Sequence, residues 1–131
     1  MPINAFAKSD GDAILGQWYT GVRDSKVEIY RTGDTYSGKI SWLKQPKKDG
    51  KLKIDDKNPD KSKSNRPIMG LALLKNFKYS GNNKWESGKI YDPRDGKEYS
   101  CNMTLANSNT LNVRGYIGFS FIGKTDVWTR K

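Results

Sequence analysis

Four aspartates stand in two pairs that could do acid–base chemistry. Asp55 and Asp56 lie in a polar stretch, and Asp92 and Asp95 flank Pro93-Arg94. Paired carboxylates serve general acid–base and glycosidase reactions. Asp beside Pro or Gly also has a plainer use, because its side chain bonds nearby backbone and stabilises a turn. For Asp92-Pro93-Arg94-Asp95-Gly96 the turn is the better reading. Asp56-Lys57-Asn58-Pro59-Asp60 begins like a calcium loop, but Lys61 stands where such a loop needs Gly and Pro67 where it needs Glu. The run therefore reads as an Asx-Pro turn.

What is missing narrows the chemistry further. The chain has no histidine, which excludes imidazole base catalysis, the Ser-His-Asp triad and His-ligated metals. One cysteine, Cys101, excludes an internal disulfide and a multi-cysteine metal site. It alternates with Tyr99 and Met103 and reads as a buried core thiol. No catalytic constellation, metal site or cofactor is expected.

The cations remain. Arg114 sits between Val113 and Gly115. Pointing inward, it would need a carboxylate or an anionic ligand, since an unpaired buried charge is costly. Pointing outward, opposite Leu111 and Val113, it is an ordinary surface residue. Lysines crowd 44–53 and 57–63 and give much of a net charge of +10. With nearby aromatics they could hold single-stranded nucleic acid. Their mixing with Asp favours solubility and weak attraction to anionic envelope surfaces instead, so nucleic acid is not an expected partner.

The elements that must position these groups read as strands. The 131 residues suffice for one domain with a real core. Alternating apolar residues mark strands at Leu15–Arg23, Lys26–Arg31, Thr35–Leu43, Lys84–Tyr91, Glu98–Leu105, Thr110–Ile117 and Thr125–Arg130, with Phe119–Ile122 continuing one of them. Ile68–Tyr79 resumes order after a long loop at about 44–67, and its Leu71–Leu74 run fits a strand or a short helix. Tyr36, Ile40 and Trp42 are expected on one face of the third strand. The expected core is Trp18, Val22, Val27, Ile29, Ile40, Trp42, Leu71, Leu73, Phe77, Ile90, Tyr99, Met103, Leu105, Leu111, Val113, Ile117 and Phe121. Eight or more short antiparallel strands predict an all-β barrel or sandwich. An eight-stranded barrel holds its own side chains or one small ligand, and the sequence leaves both open.

The two ends add expectations of their own. Ala5-Phe6-Ala7 has the small-x-small form of an export cleavage site. Residues 1–14 therefore read as a signal-peptide remnant and flexible N-terminus, against the alternative of an ordinary N-terminus. Residues 15–131 form the domain. No run is long enough for a membrane span. Trp18 and Arg130 lie in the first and last strands, which a closed barrel must pair. Stacked together they would close its bottom; as unrelated residues they would not.

Several motifs carry a family resemblance. They are Gly16-x-Trp18, Asp55-x-Lys57-Asn58-Pro59-Asp60, Arg66-Pro67-Ile68-x-Gly70, Trp85-x-x-Gly88-Lys89-Ile90-Tyr91-Asp92-Pro93-x-x-Gly96-x-x-Tyr99, Leu111-x-Val113-Arg114-Gly115-Tyr116-Ile117-Gly118 and Trp128-Thr129-Arg130. From Gly16 to Arg130 the chain resembles a bacterial secreted family, domain of unknown function 2147. The resemblance implies an exported, periplasmic or secreted, antiparallel calycin-like (lipocalin-type) barrel of eight to ten strands. It implies no activity and no catalytic residue. The clustered motif residues Asp55, Asn58, Arg66, Lys89, Tyr91, Asp92 and Arg114 are expected to converge at one barrel mouth. There they would bind a small amphipathic or anionic ligand, or an anionic envelope component. The alternative is a filled barrel serving as an envelope interaction or structural module. A monomer is expected.

Overall fold

The computed structural model describes residues 10–118 and 123–131. The signal-remnant reading of residues 1–7 and the core assignment of Phe121 lie outside them. Eight strands close an antiparallel barrel: β1 (Gly16–Tyr19), β2 (Ser25–Thr32), β3 (Thr35–Leu43), β6 (Ala72–Gly81), β7 (Lys84–Asp92), β8 (Lys97–Asn107), β9 (Thr110–Tyr116) and β10 (Gly123–Arg130). Between β3 and β6 the long loop holds a separate two-stranded hairpin, β4 (Lys47–Lys48) and β5 (Lys51–Leu52), and a 3-10 turn at Lys61–Lys63. The run at Leu71–Leu74 is strand from Ala72 onward. No described helix is long and apolar enough to cross a membrane.

One end of the barrel is plugged. Asp10–Ile14 forms a 3-10 helix beneath it. The Trp18 indole donates to the Ile14 carbonyl at 2.9 Å and the Trp85 indole to the Gly11 carbonyl at 3.2 Å. Asp12 accepts from Tyr36 Oη at 2.6 Å. Residues 10–14 therefore belong to the folded unit rather than to a flexible N-terminus. Two otherwise orphaned indole N–H groups require their carbonyls, and Ile14 is fully buried.

The interior next to this plug is filled. Trp18, Phe77, Leu74, Trp85, Met103, Leu111 and Trp128 are buried there. Gly38 and Gly88 make the room: a Cβ on Gly88 would strike the Phe77 ring, and one on Gly38 would meet Leu74 and Val27 at 3.0 Å. These strand glycines leave space for large side chains of the neighbouring strands β2 and β6.

The core differs from the sequence reading in instructive places. Val22 and Ile117 are 78% and 69% exposed, because they lie in rim loops beyond the strand ends. Trp42 sits outside the wall. A bulge where β2 meets β3 pairs it with Lys26, and its ring meets the edge of Tyr19 at 6.2 Å. Simple alternation misses such a phase shift.

Candidate functional site

The loop between β3 and β6 is a strap. Its ends are tied to the barrel by backbone bonds, Lys44 N to Asp24 O at 2.8 Å and Gly70 N to Ile40 O at 2.9 Å. It is also zipped to itself. Lys53 N donates to Pro46 O at 2.9 Å, Ile68 N to Lys53 O at 3.0 Å, and Asp55 N to Arg66 O at 2.8 Å. The Asp56–Asp60 run builds turns, as read. Asn58 Oδ1 accepts from Asp60 N at 2.8 Å, and Asp60 Oδ1 accepts from Ser62 N at 3.0 Å, capping the 3-10 turn. The Ser62 hydroxyl, and then the Ser62 backbone N–H, hold the Asp60 carboxyl below its ordinary pKa.

Asp55 is the fully buried acid of the molecule among the described residues. Its Oδ1 accepts from Tyr91 Oη at 2.7 Å and its Oδ2 from Asn58 Nδ2 at 2.8 Å. Burial, and then the Asp55 carboxylate itself, push the Tyr91 phenol well above its ordinary pKa. Tyr91 therefore stays protonated and donates.

The register shows on which side of the wall this happens. Ile90 pairs with Tyr99 and Tyr91 with Glu98, while Lys75 pairs with Lys89. Alternation puts Ile90 and Tyr99 inward with Cys101 and Met103, and Tyr91, Glu98 and Lys75 outward. The strap thus crosses the outer face of β6–β8. Between strap and wall runs a half-open groove of about 600 Å³. Asp55, Asn58, Arg66 and Tyr91 line it, together with Lys63, Met69, Leu71, Lys75 and Glu98.

Four of the seven sequence-flagged residues meet here, outside the lumen. Three do not. Lys89 donates to Ser100 Oγ at 3.2 Å on the outer wall. Asp92 accepts from Arg94 Nε at 3.0 Å in the hairpin turn. Arg114 donates to Thr125 Oγ1 at 2.9 Å on the outer face of β9–β10. The seven therefore do not share one mouth. Lys89 lies on β7 but outside the groove lining, Arg114 lies on β9, away from the strap, and Asp92 is spent on its own turn.

Arg130 Cζ stacks 4.2 Å from the Trp18 ring centroid at the closed end. Sequence reasoning noted Lys63 only within a solvating lysine run and passed over Met69 and Lys75, which are not among the motif residues. It also read Gly96 as a turn glycine only. A Cβ there would collide with the Lys57 carbonyl oxygen, so Gly96 also lets the strap dock.

Comparison with known proteins matches residues 16–130 to a family model described as "Uncharacterized protein conserved in bacteria (DUF2147)". The chain belongs to the DUF2147 family. A solved structure, protein HP1028 from the human pathogen Helicobacter pylori, described as belonging to the lipocalin family, is similar to this DUF2147 chain. The TM-score is 0.77 at 25% identity, over 90% of this chain and 82% of that one. No curated protein matches. The lipocalin-like closed barrel expected from the sequence is therefore the fold of this DUF2147 member.

Among the described residues, the Arg66 guanidinium makes no side-chain hydrogen bond or close salt bridge and acts on Asp60 only at a distance, while Lys63 and Lys75 hold their acids at 3.9 and 3.8 Å. Burial pushes the Cys101 thiol up to about 12, far from a reactive thiolate.

Proposed function

We propose that this protein is an exported lipocalin-like binding protein that takes a small amphipathic anion in the groove between strap and wall. The observation that carries the reading is the Arg66 guanidinium, which makes no side-chain hydrogen bond or close salt bridge among the described residues. It stands at a groove whose other lining includes Met69, Leu71, Pro59 and Pro67. A planar fork of donors suits a carboxylate, sulfonate or phosphate, and the apolar side chains suit a short hydrocarbon body. Export rests on the Ala5-Phe6-Ala7 motif. Binding rather than catalysis fits a buried carboxylate already engaged by Tyr91 and Asn58.

The filled interior favours a second reading, an interaction module without a small ligand. An anionic amphipathic dye, anilinonaphthalene sulfonate, separates the two. Saturable fluorescence enhancement is expected, with affinity lowered about tenfold in Arg66→Ala, the loss of one charge-assisted bond. Equal binding by wild type and variant would remove the groove from the proposal. No saturable binding, together with a clean apo mass in native mass spectrometry of protein from its own host, would favour the filled-barrel module.

A further inference from the structure

The hairpin of β4 and β5 is built against its own stability. Its register places Lys47 opposite Leu52 and Lys48 opposite Lys51. Like charges directly across a strand pair repel, and a lone two-stranded hairpin is marginal in water. The turn itself is sound. Asp49 and Gly50 take φ of 53° and 79°, as a two-residue hairpin turn requires. The strands it joins carry no compensating acid. Among the described residues, none of the side chains of Lys44, Lys47, Lys48, Lys51 and Lys53 has an acidic, aromatic or hydrogen-bonding partner.

The same segment exposes apolar side chains. Leu52 is 58% and Ile54 39% exposed. They lie two residues apart and so share a face, with Lys47 across from Leu52. The result is a small projection at the rim of the barrel: two aliphatic side chains ringed by unpaired ammonium groups.

We propose that this hairpin docks the protein on a bilayer of anionic phospholipid. The lysines would meet the lipid phosphates, and Leu52 and Ile54 would enter the boundary between headgroups and acyl chains. Charge complementarity selects an anionic partner. The aliphatic pair stands on a projection without a shaped pocket. That suits a fluid surface better than an acidic protein, which would offer a fixed counter-shape. This inference is independent of the groove reading. The two sites adjoin, however, since Ile68 of the groove strap bonds to Lys53.

The test uses the whole protein and vesicle co-sedimentation. It compares vesicles of phosphatidylcholine alone with vesicles that also carry phosphatidylglycerol. Binding is expected to the second kind only, and to fall as salt rises. Lys48→Gln with Lys51→Gln should weaken it by about fivefold per lysine removed. Leu52→Ser should weaken it while leaving net charge unchanged. Lys78→Gln with Lys84→Gln, toward the plugged end of the barrel, makes the same charge change and is expected to leave most of the binding in place. All these side chains are exposed, and circular dichroism will confirm the fold. Three outcomes would each overturn the proposal: no binding to the anionic vesicles, as for an acidic protein partner; equal losses in the two double variants, as for attraction by net charge alone; or full binding by Leu52→Ser.

Discussion

Asp55 shows how one buried residue ties a loop to a barrel. A carboxylate out of water needs hydrogen-bond donors, and Tyr91 and Asn58 supply one to each Asp55 oxygen. Tyr91→Phe keeps the ring packed against the core and removes one donor. The stranded Asp55 oxygen should lower stability by about 1–3 kcal/mol, read from urea unfolding at neutral pH. The alkaline limb checks the same bond. Tyr91 titrates higher in the folded protein than its ordinary value. The folded chain therefore holds a proton that the unfolded chain releases above about pH 10. That contribution is complete below this pH and is lost as pH rises through the folded value. Tyr91→Phe should flatten the decline, leaving the parts due to Cys101, raised by burial, and Tyr99, raised by its bond to Asp95, which shift in the same direction. At this scale the sequence was informative about grouping. Asp55, Asn58, Arg66 and Tyr91 drew notice through their motifs, and they meet. The side of the wall was not legible, because alternation gives Tyr91 the face opposite Ile90 without saying what covers it.

The strap is the element on which the site depends, and its docking is thin. Among the described residues, Tyr91 to Asp55 is the hydrogen bond that joins its middle to the wall, between anchors at Lys44 and Gly70. The rest is close packing of Lys57 on Gly96, whose φ of 72° also belongs to the turn. Gly96→Ala brings a left-handed penalty of about 1–2 kcal/mol and a collision with the strap. The expected result is local opening. Hydrogen exchange of the Asp55 and Ile68 amides should accelerate by roughly tenfold or more, while Met103 and Leu111 in the wall keep their protection. Equal acceleration everywhere would mean that the strap and barrel unfold as one unit. Most strands were legible from period-two patterns and turn residues. The bulges were not. Asn76 and Ser87 take φ of 61° and 63° inside strands, and Trp42 lies outside the wall through a phase shift. Each extra residue is fixed by the neighbouring strand, which a local pattern does not contain.

Closing the barrel is a problem of the whole molecule. The seam joins β1 and β10, far apart in sequence, through two register pairs, Trp18 with Arg130 and Tyr19 with Thr129. So short a ladder leaves much of the closure to side chains. Arg130 supplies it, donating to the carbonyls of Ala13 at 2.7 Å, Leu15 at 2.8 Å and Ser108 at 2.9 Å while it lies over Trp18. Its planar fork reaches the N-terminal plug and the β8–β9 turn at once. Lysine keeps the charge without that reach. Arg130→Lys should therefore cost about 2 kcal/mol or more in urea unfolding. The sequence raised the stacking of Trp18 and Arg130 beside the alternative of unrelated residues. It did not contain the three carbonyls, which come together only when the chain ends meet. A double-mutant cycle with Trp18→Phe separates the two contributions. If the ring face attracts the guanidinium, the changes are non-additive, with a coupling of about 1 kcal/mol. If the cycle closes to within about 0.5 kcal/mol, Arg130 closes the barrel through the carbonyls alone and Trp18 beneath it serves as core.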